Sequence, residues 1–236
     1  MNGKKKKIHL GCGDNYLDEY INIDLPTEDQ TIIRGKADIR ANILDLDFDD
    51  GTIDEIRLHH VFEHFSRQEA LNLLLLWRRW LKPGGTLVIE TPDFEACAEK
   101  FLKTKDLKTR FELGRHMFGS HEAKWAYHKD YWSEDKFNFI LTKLGFRGIK
   151  FVTYKNNLGK KFEPKELFEA IGEILPRSFF SKFGLNKLPN IICFAVKDDR
   201  QINEKEAVKE ILKLSLVGDE KEMLEVWLKE INFKKG

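Results

Sequence analysis

The sequence predicts an α/β fold with a mostly parallel sheet and helices on both faces. Three observations support this prediction. Strand-like and helix-like segments alternate over the first two thirds of the chain. A glycine turn, Gly11-Cys12-Gly13, follows the first apolar run, where the backbone must turn sharply. The chain has 236 residues, which is enough for one such domain with extensions.

Local signals mark the elements of the first half. Ser66, with Glu69 three residues later, forms a capping-box pattern that opens an apolar helix running to Leu81. Pro83-Gly84-Gly85 ends that helix. The strands predicted around it are Ile8–Leu10, Tyr20–Asp24, Thr31–Ile33, Ile53–His59 and Thr86–Glu90.

The second half is less regular. Ser133 caps a helix whose apolar residues recur at helical spacing, and Gly145 ends it. Residues 111–131 are rich in aromatic side chains and histidine and have no clean period. The tail from Asn203 holds two amphipathic helices that break near Gly218. The other predictions are a helix at Phe94–Lys108, a strand at Arg147–Lys155, a helix at Pro164–Ile174 and a strand at Ile191–Lys197.

The composition excludes several classes of protein. The 40 basic residues nearly balance the 39 acidic ones, so no global field draws the chain to nucleic acid or to an anionic membrane. Three distant cysteines argue against a secreted disulfide scaffold and favour reduced thiols. No apolar run reaches the roughly 18 residues of a membrane span. We therefore expect a cytoplasmic location.

The glycine turn predicts a nucleoside ligand without a diphosphate. A dinucleotide site needs a third glycine, but Tyr16 stands at that position, where a pyrophosphate would approach. The acid that ends the second strand, Asp24, also follows the turn sooner than the spacing of about 20 residues typical of a dinucleotide site.

The order of the motifs resembles the class I S-adenosylmethionine-dependent methyltransferases, in particular their small bacterial-type members. The resemblance covers roughly residues 6–155 and rests on shared order and spacing rather than on one motif. It implies a Rossmann-like sheet whose last strand is antiparallel, with S-adenosylmethionine as cofactor and S-adenosylhomocysteine as product. The matching motifs are IHLGCG, YINIDL, ADIRANILDLDF, IDEIRLHHVFEHF, LKPGGTLVIETPD and LTKLGF.

The resemblance also implies residue roles on the cofactor side. Asp24 matches the acid that accepts hydrogen bonds from both ribose hydroxyls. Asp45 with Leu46 matches the pair beside the adenine, and Asp38 or Asp47 takes that place if the register shifts. Because the stretch after Gly13 is short, the first helix is reduced to about one turn near Asn15–Glu19. The predicted cofactor-binding residues are Gly11, Cys12, Gly13, Asp24, Leu25, Asp45, Leu46 and His60.

Histidines supply the candidate catalytic groups. Methyl transfer to oxygen or carbon needs alignment and a nearby base. His60 and His64 follow the fourth strand, at the carboxyl edge where α/β sheets bind ligands. The alternative for both is a structural bond to a backbone carbonyl. His128 lies in the aromatic segment, which forms either an acceptor pocket or a packed lid without chemistry. The predicted catalytic residues are His60, His64 and His128.

The sequence predicts no metal site. His59, His60 and His64 could supply ligands by number, but no H-E-x-x-H helix or cysteine–histidine pairing is present. An Asn/Asp-Pro-Pro-aromatic motif, which amino-methylating enzymes of DNA and glutamine carry, is replaced here by HHVFEHF. This replacement and the weak net charge argue against nucleic acid as the acceptor.

These observations predict a methyltransferase of a small-molecule or sugar-like acceptor, acting at oxygen. The alternatives are a methyltransferase of protein or RNA and a non-catalytic binding protein on the same fold. The predicted domain spans 1–198, with an acceptor-recognition insertion at 111–132. A helical extension at 199–236 either packs on the core or joins two copies in a homodimer.

Overall fold

A seven-stranded sheet forms the centre of the computed structural model, which describes residues 5–32, 34–153 and 188–233. The strand order is β3-β2-β1-β4-β5-β7-β6, and β7 runs antiparallel to both of its neighbours while the other pairs are parallel. This is the predicted fold class. The strands are β1 (Lys7–Leu10), β2 (Ile21–Asp24), β3 (Ile39–Arg40), β4 (Ile53–His59), β5 (Leu81–Pro92), β6 (Phe146–Thr153) and β7 (Asn190–Lys197).

Side-chain caps begin most of the described helices. Ser66 and Glu69 form the predicted capping box, and Ser133 accepts a hydrogen bond from the Lys136 backbone amide. Asn203 caps the first tail helix in the same way. The helices are α1 (Arg67–Trp80), α2 (Phe94–Lys103), α3 (Leu107–Phe118), α4 (Glu134–Lys143), α5 (Glu204–Lys213) and α6 (Lys221–Lys229).

Some segments differ from the prediction. Thr31 and Ile32 are not in a strand, because β3 forms at Ile39–Arg40, where Ile39 pairs with Ile23 of β2. The single helix predicted over Phe94–Lys108 is two helices, since Asp106 accepts hydrogen bonds from the amide and hydroxyl of Thr109 and starts α3. The helix predicted at Pro164–Ile174 lies outside the described residues.

The connection between β1 and β2 holds turns rather than the predicted helical turn near Asn15–Glu19. The buried side chain of Asn22 explains this difference. Its amide nitrogen donates to the carbonyls of Leu17 and Tyr20, and its oxygen accepts from the Leu17 amide. The Leu17 amide is therefore paired with a side chain instead of a helical carbonyl.

The main apolar core lies on one face of the sheet. Alternation along β4 sends Ile56 and Leu58 into this core, with Ile8 and Leu10 of β1 beside them. The side chains of α1 and α4 complete it, with Trp77 and Phe137 among the fully buried residues.

The opposite face of β1 and β4 is polar although it is also buried. Arg57 pairs with Glu55 at 2.9 Å, and the Tyr20 hydroxyl donates to the same carboxylate at 2.5 Å. His9 donates to Asn22 at 3.2 Å and contacts the ring of His59. Because buried polar groups need partners, this network fixes the register of β1, β2 and β4 beneath the site.

The tail packs on the core. Val208, Ile211 and Leu212 of α5 and Leu224 of α6 are buried in the same apolar cluster, and Leu216 and Trp227 are partly buried against it. Asn72 of α1 also bonds the backbone of Glu230 and Asn232. The described part of the extension predicted at 199–236, residues 199–233, thus packs on α1 and α4.

Within the described residues, no helix has the length and apolar character that crossing a bilayer requires. All three cysteines are buried free thiols, as their spacing predicted.

Candidate active site

The glycine turn joins β1 to the mouth of the sheet. Gly11 and Gly13 both have positive φ, +66° and +52°. The amides of Gly11 and Cys12 donate to the carbonyl of Ile23, at 2.8 and 3.1 Å. A Cβ on Gly11 would overlap the side chain of Val61. Glycine is therefore needed at position 11 both for its conformation and for this close approach.

Asp24 ends β2 beside the glycine turn. One carboxylate oxygen accepts from the Leu25 amide at 2.9 Å and the other from the Gln30 side chain at 3.0 Å, with Arg40 at 3.7 Å. A carboxylate oxygen can accept two hydrogen bonds, so both oxygens retain capacity. Asp24 thus fits the role of binding two neighbouring hydroxyls.

A second loop crosses the glycine turn. The thiol of Cys12 donates to the Lys36 carbonyl at 3.4 Å, and Gly35 lies so close that a Cβ there would overlap the Gly13 carbonyl. Burial raises the pKa of the Cys12 thiol to about 11, so it is not a nucleophile at neutral pH.

The three candidate adenine-binding acids have different surroundings. Asp38 accepts hydrogen bonds from the Asn22 amide and the Tyr16 hydroxyl, both at 2.8 Å, and these bonds lower its pKa. Asp38 therefore has a structural task. Asp45, next to Leu46, is exposed at the end of a short 3₁₀ turn that Asn42 caps, and Asp47 is exposed as well.

His60 and Glu63 form the first half of a carboxylate–imidazole cluster, which comprises His60, Glu63, His64 and His128. Their segment directly follows β4, and the His60 backbone has positive φ (+50°) while its amide donates to the Glu90 carbonyl. Nδ1 of His60 lies 3.2 Å from Oε1 of Glu63, and Nε2 lies 3.7 Å from Glu90.

The charges in this cluster act on each other. Burial alone lowers the pKa of His60, but the hydrogen bond to Glu63 and the charges of Glu63 and Glu90 outweigh it and raise the pKa. Burial alone raises the pKa of Glu63, which is 2% exposed, and the neighbouring histidines bring it below its ordinary value. His60 keeps a side chain that is 39% exposed, so it can meet a ligand.

His64 and His128 both contact backbone carbonyls. Nδ1 of His64 lies 3.2 Å from the Tyr127 carbonyl, and Nδ1 of His128 lies 3.3 Å from that of Met117. Their rings meet edge to face at 4.7 Å. Burial lowers the pKa of His128 to about 4, so its ring is neutral at pH 7. The structural role considered for His64, a hydrogen bond to a backbone carbonyl, is the one that its Nδ1 plays in the structure.

Glu63, His64 and His128 converge. One ligand atom from each lies within 4.8 Å of the others, and Oε2 of the buried Glu63 has no hydrogen-bond partner. Such a set of two imidazoles and a carboxylate can hold a metal ion. The sequence pointed to His59, His60 and His64 as possible ligands by number, because spacing alone does not show that His128 folds back onto Glu63.

A cleft opens beside this cluster, with an empty volume of about 220 Å³ that includes the open solvent at its mouth. Aromatic side chains and carboxylates line it, and the lining residue Trp132 is a core residue that stacks on Phe137 and contacts Phe62. The lining residues are Glu63, Pro92, Phe94, Met117, His128, Asp130, Tyr131 and Trp132.

The predicted aromatic insertion at 111–132 has two parts. Its first residues belong to α3, and residues 119–132 form an irregular segment, here called the aromatic loop. Trp125 donates to the Asp29 carbonyl at 2.9 Å, and Glu122 accepts from the Thr31 hydroxyl at 2.6 Å. The aromatic loop thus reaches the connection that follows Asp24. His121 and Tyr127 stack on each other at its surface.

One group that the sequence analysis did not assign to the site lies beneath it. Glu90, near the end of β5, is buried, lies 3.1 Å from His59 and accepts from Asn190 at 3.2 Å. The signal for Glu90 was available, since an acid near the carboxyl end of a buried strand lies at the ligand edge of the sheet.

Comparison with known proteins identifies the domain. Residues 8–89 match the family model described as "Methyltransferase domain". Residues 8–89 are thus a methyltransferase domain. Gly11, Gly13 and Asp24 all lie within the matched segment. A search among curated proteins gives no match.

Solved structures resemble the methyltransferase in fold. A SAM-dependent methyltransferase from Archaeoglobus fulgidus is 20% identical, with a TM-score of 0.49 over 83% of this chain and 87% of that one. The plantazolicin methyltransferase BpumL, solved with a pentazolic desmethylPZN analog and SAH, is 15% identical, with a TM-score of 0.51 over 82% and 77%. Phosphoethanolamine N-methyltransferase 2 of Haemonchus contortus, solved with S-adenosyl-L-methionine, is 14% identical, with a TM-score of 0.46 over 85% and 50%.

Proposed function

We propose that the methyltransferase binds S-adenosylmethionine between the glycine turn and Asp24 and transfers its methyl group to an oxygen of a small-molecule or sugar-like acceptor. One observation carries this proposal. The cleft beside Glu63 and His128 opens at the same carboxyl edge of the sheet as Gly11–Gly13 and Asp24. An acceptor in the cleft and a nucleoside at the glycine turn would therefore be neighbours.

The cofactor-binding residues have distinct tasks in this proposal. Gly11, Cys12 and Gly13 present backbone groups to the methionine part, and the two oxygens of Asp24 accept the ribose hydroxyls. Leu25 and Leu46 offer apolar surface to the adenine, and Asp45 accepts from its amino group. His60 follows β4 at the same edge of the sheet and keeps a partly exposed side chain. S-adenosylmethionine, when bound, supplies an electrophilic methyl group on a sulfonium.

The cleft favours a small polar acceptor. It is a small cleft that opens to solvent. Phe94 and Tyr131 provide flat faces, while Glu63 and Asp130 provide carboxylates. Hydroxyl groups donate well to carboxylates, so this lining suits a sugar-like or hydroxylated molecule. We also propose that residues 111–132 as a whole recognise the acceptor. They belong to a domain that we propose to span residues 1–198.

His60 is the residue that we propose as the proton acceptor. The acceptor oxygen forms a bond to the methyl carbon while the carbon–sulfur bond breaks toward sulfur, and the hydroxyl proton must leave to a base. Glu63 holds Nδ1 of His60, as a carboxylate orients imidazole in other proton-transfer pairs. His64 and His128 complete the surroundings of Glu63, and we propose that they align the acceptor.

Binding calorimetry with Asp24→Ala tests the cofactor site. We expect the substitution to weaken S-adenosylmethionine binding by about 1–3 kcal/mol, since it leaves charge-assisted hydrogen bonds unmade. Asp18→Ala is the matched control, because Asp18 is an exposed acid in the turns between β1 and β2. Equal affinities for Asp24→Ala and the unmodified protein would contradict the ribose role.

A panel of hydroxylated, amine and carboxylic acceptors tests the acceptor class. We expect S-adenosylhomocysteine to form fastest with hydroxylated compounds, and we expect His60→Gln to lower turnover more than cofactor affinity. Product formation with amines alone would contradict transfer to oxygen, and unchanged turnover in His60→Gln would remove its role as base.

A further inference from the structure

We propose that Glu63, His64 and His128 form a binding site for a divalent metal ion of the zinc class. The three residues come from the turn after β4 and from the aromatic loop, and their ligand atoms lie within 4.8 Å of one another. Glu63 and His128 also line the cleft. The proposed ion would therefore face the acceptor.

The hydrogen bonds of the two imidazoles orient them as ligands. A carbonyl oxygen accepts a proton, so Nδ1 of His64 donates to Tyr127 and Nδ1 of His128 donates to Met117. A neutral ring with its proton on Nδ1 carries a lone pair on Nε2. This arrangement, with a backbone carbonyl fixing the tautomer, is the usual outer support of a metal-bound histidine.

The atoms that converge are all acceptors. Nε2 of His128 is 3.9 Å from Oε1 of Glu63, which is too far for a hydrogen bond. Oε2 of Glu63 has no hydrogen-bond partner, although Glu63 is 2% exposed. An unpartnered buried carboxylate oxygen costs free energy, so its presence beside two imidazoles indicates a missing positive partner. A cation bound by all three would satisfy them together.

The ligand types favour zinc-class ions over magnesium or calcium. Imidazole suits Zn²⁺, Co²⁺ and Fe²⁺, whereas the harder ions prefer oxygen ligands alone. Ligand atoms of tetrahedral zinc lie ~3.4 Å apart, so the set must contract by roughly 1 Å on binding. His64 can supply this movement because its side chain is only partly buried. Three protein ligands leave a coordination position open, as in catalytic zinc sites.

The open position gives the ion a task, which rests on the proposed function. A hydroxyl bound to the ion would lose its proton more readily to His60, the proposed proton acceptor, and would be held in place for transfer. His60 would also keep Glu63 oriented through its Nδ1 bond. Metal binding itself needs neither cofactor nor acceptor, so it can be measured apart from methyl transfer.

Titration of the tag-free protein with Co²⁺, followed by visible absorption, tests the site. We expect saturation at one equivalent with bands typical of nitrogen and oxygen ligands, and displacement of these bands by Zn²⁺. The same titration without any change in absorption, together with calorimetry that detects no Zn²⁺ uptake, would overturn the proposal.

Substitutions then locate the ion. We expect Glu63→Gln, His64→Gln and His128→Gln each to weaken Co²⁺ binding at least tenfold, while circular dichroism and S-adenosylmethionine affinity stay close to those of the unmodified protein. His121→Asn is the matched control, because His121 is an exposed histidine of the same loop with a positive φ that asparagine tolerates. If the control loses the ion and the three variants keep it, the assignment is wrong. Loss of cofactor binding in Asp24→Ala would leave this result unaffected.

Discussion

The two sides of the sheet edge are built by different means. On the proposed cofactor side, local backbone conformation and one strand-ending carboxylate make the site at Gly11–Gly13 and Asp24. On the proposed acceptor side, the carboxylate–imidazole cluster brings together the turn after β4 and the aromatic loop, which are distant in sequence. The proposed cofactor side thus depends on backbone shape, and the proposed acceptor side depends on tertiary contacts.

This difference explains which parts of the site could be predicted. Gly11, Gly13 and Asp24 were found because a turn and a strand end carry their signals within 14 residues of sequence. The contact between Glu63 and His128 spans 65 positions and follows from how the aromatic loop folds back, where the Lys129 amide donates to the Glu63 carbonyl. No local spacing encodes that contact.

The same distinction applies to the fold. The caps at Ser66 and Ser133 were predicted because the cap and its partner lie in one turn. The predicted position of the third strand was wrong. The position depends on the pairing of Ile39 with Ile23 rather than on the apolar character of residues 31–33. The break before α3 had a local signal that was missed, namely Asp106 three residues before Thr109.

Gly11→Ala is the substitution with the largest expected effect and would break the cofactor side alone. The positive φ and the overlap with Val61 together should lower the free energy of unfolding by about 3 kcal/mol. Chemical denaturation measures this loss. Val61→Ala in the same protein should restore only the steric part, and full recovery would mean that the φ of residue 11 has no cost.

Acidification should come next in size, through His9 beneath the cofactor side. Burial lowers the pKa of His9 from 6.5 to about 3, with the charges of His59 and Arg57 acting the same way and the Asn22 bond opposing them. The unfolded chain therefore takes up a proton below pH 6.5 while the folded chain does not, so stability is present above pH 6.5 and falls toward pH 3. The loss attributable to His9 should be about 2 kcal/mol at pH 5.

Denaturation curves at pH 7 and pH 5 check this contribution. His9→Gln cannot titrate, so its free energy of unfolding should fall less between the two pH values than that of the unmodified protein. An identical pH dependence in both proteins would show that His9 gains its proton without a penalty.

Trp125→Phe should have the smallest effect, and it tests how far the two sides of the site depend on each other. It removes the bond to the Asp29 carbonyl, which links the aromatic loop to the segment after Asp24. We expect a loss of about 1 kcal/mol in the free energy of unfolding, since the ring is partly exposed. Combining it with Thr31→Val in a double-mutant cycle measures whether the two links act together; strictly additive losses would mean that they are independent.

The tail that covers α1 has a consequence for how the polypeptide matures. Asn72 bonds the backbone of Glu230 and Asn232, positions that leave the ribosome 158 and 160 residues later. Until then, the stripe of α1 and α4 that meets Val208 and Leu224 has no cover. At the usual pace of synthesis, about 5–20 residues per second, that interval lasts on the order of ten seconds. Nascent chains of this enzyme should therefore be clients of chaperones that shield apolar helices.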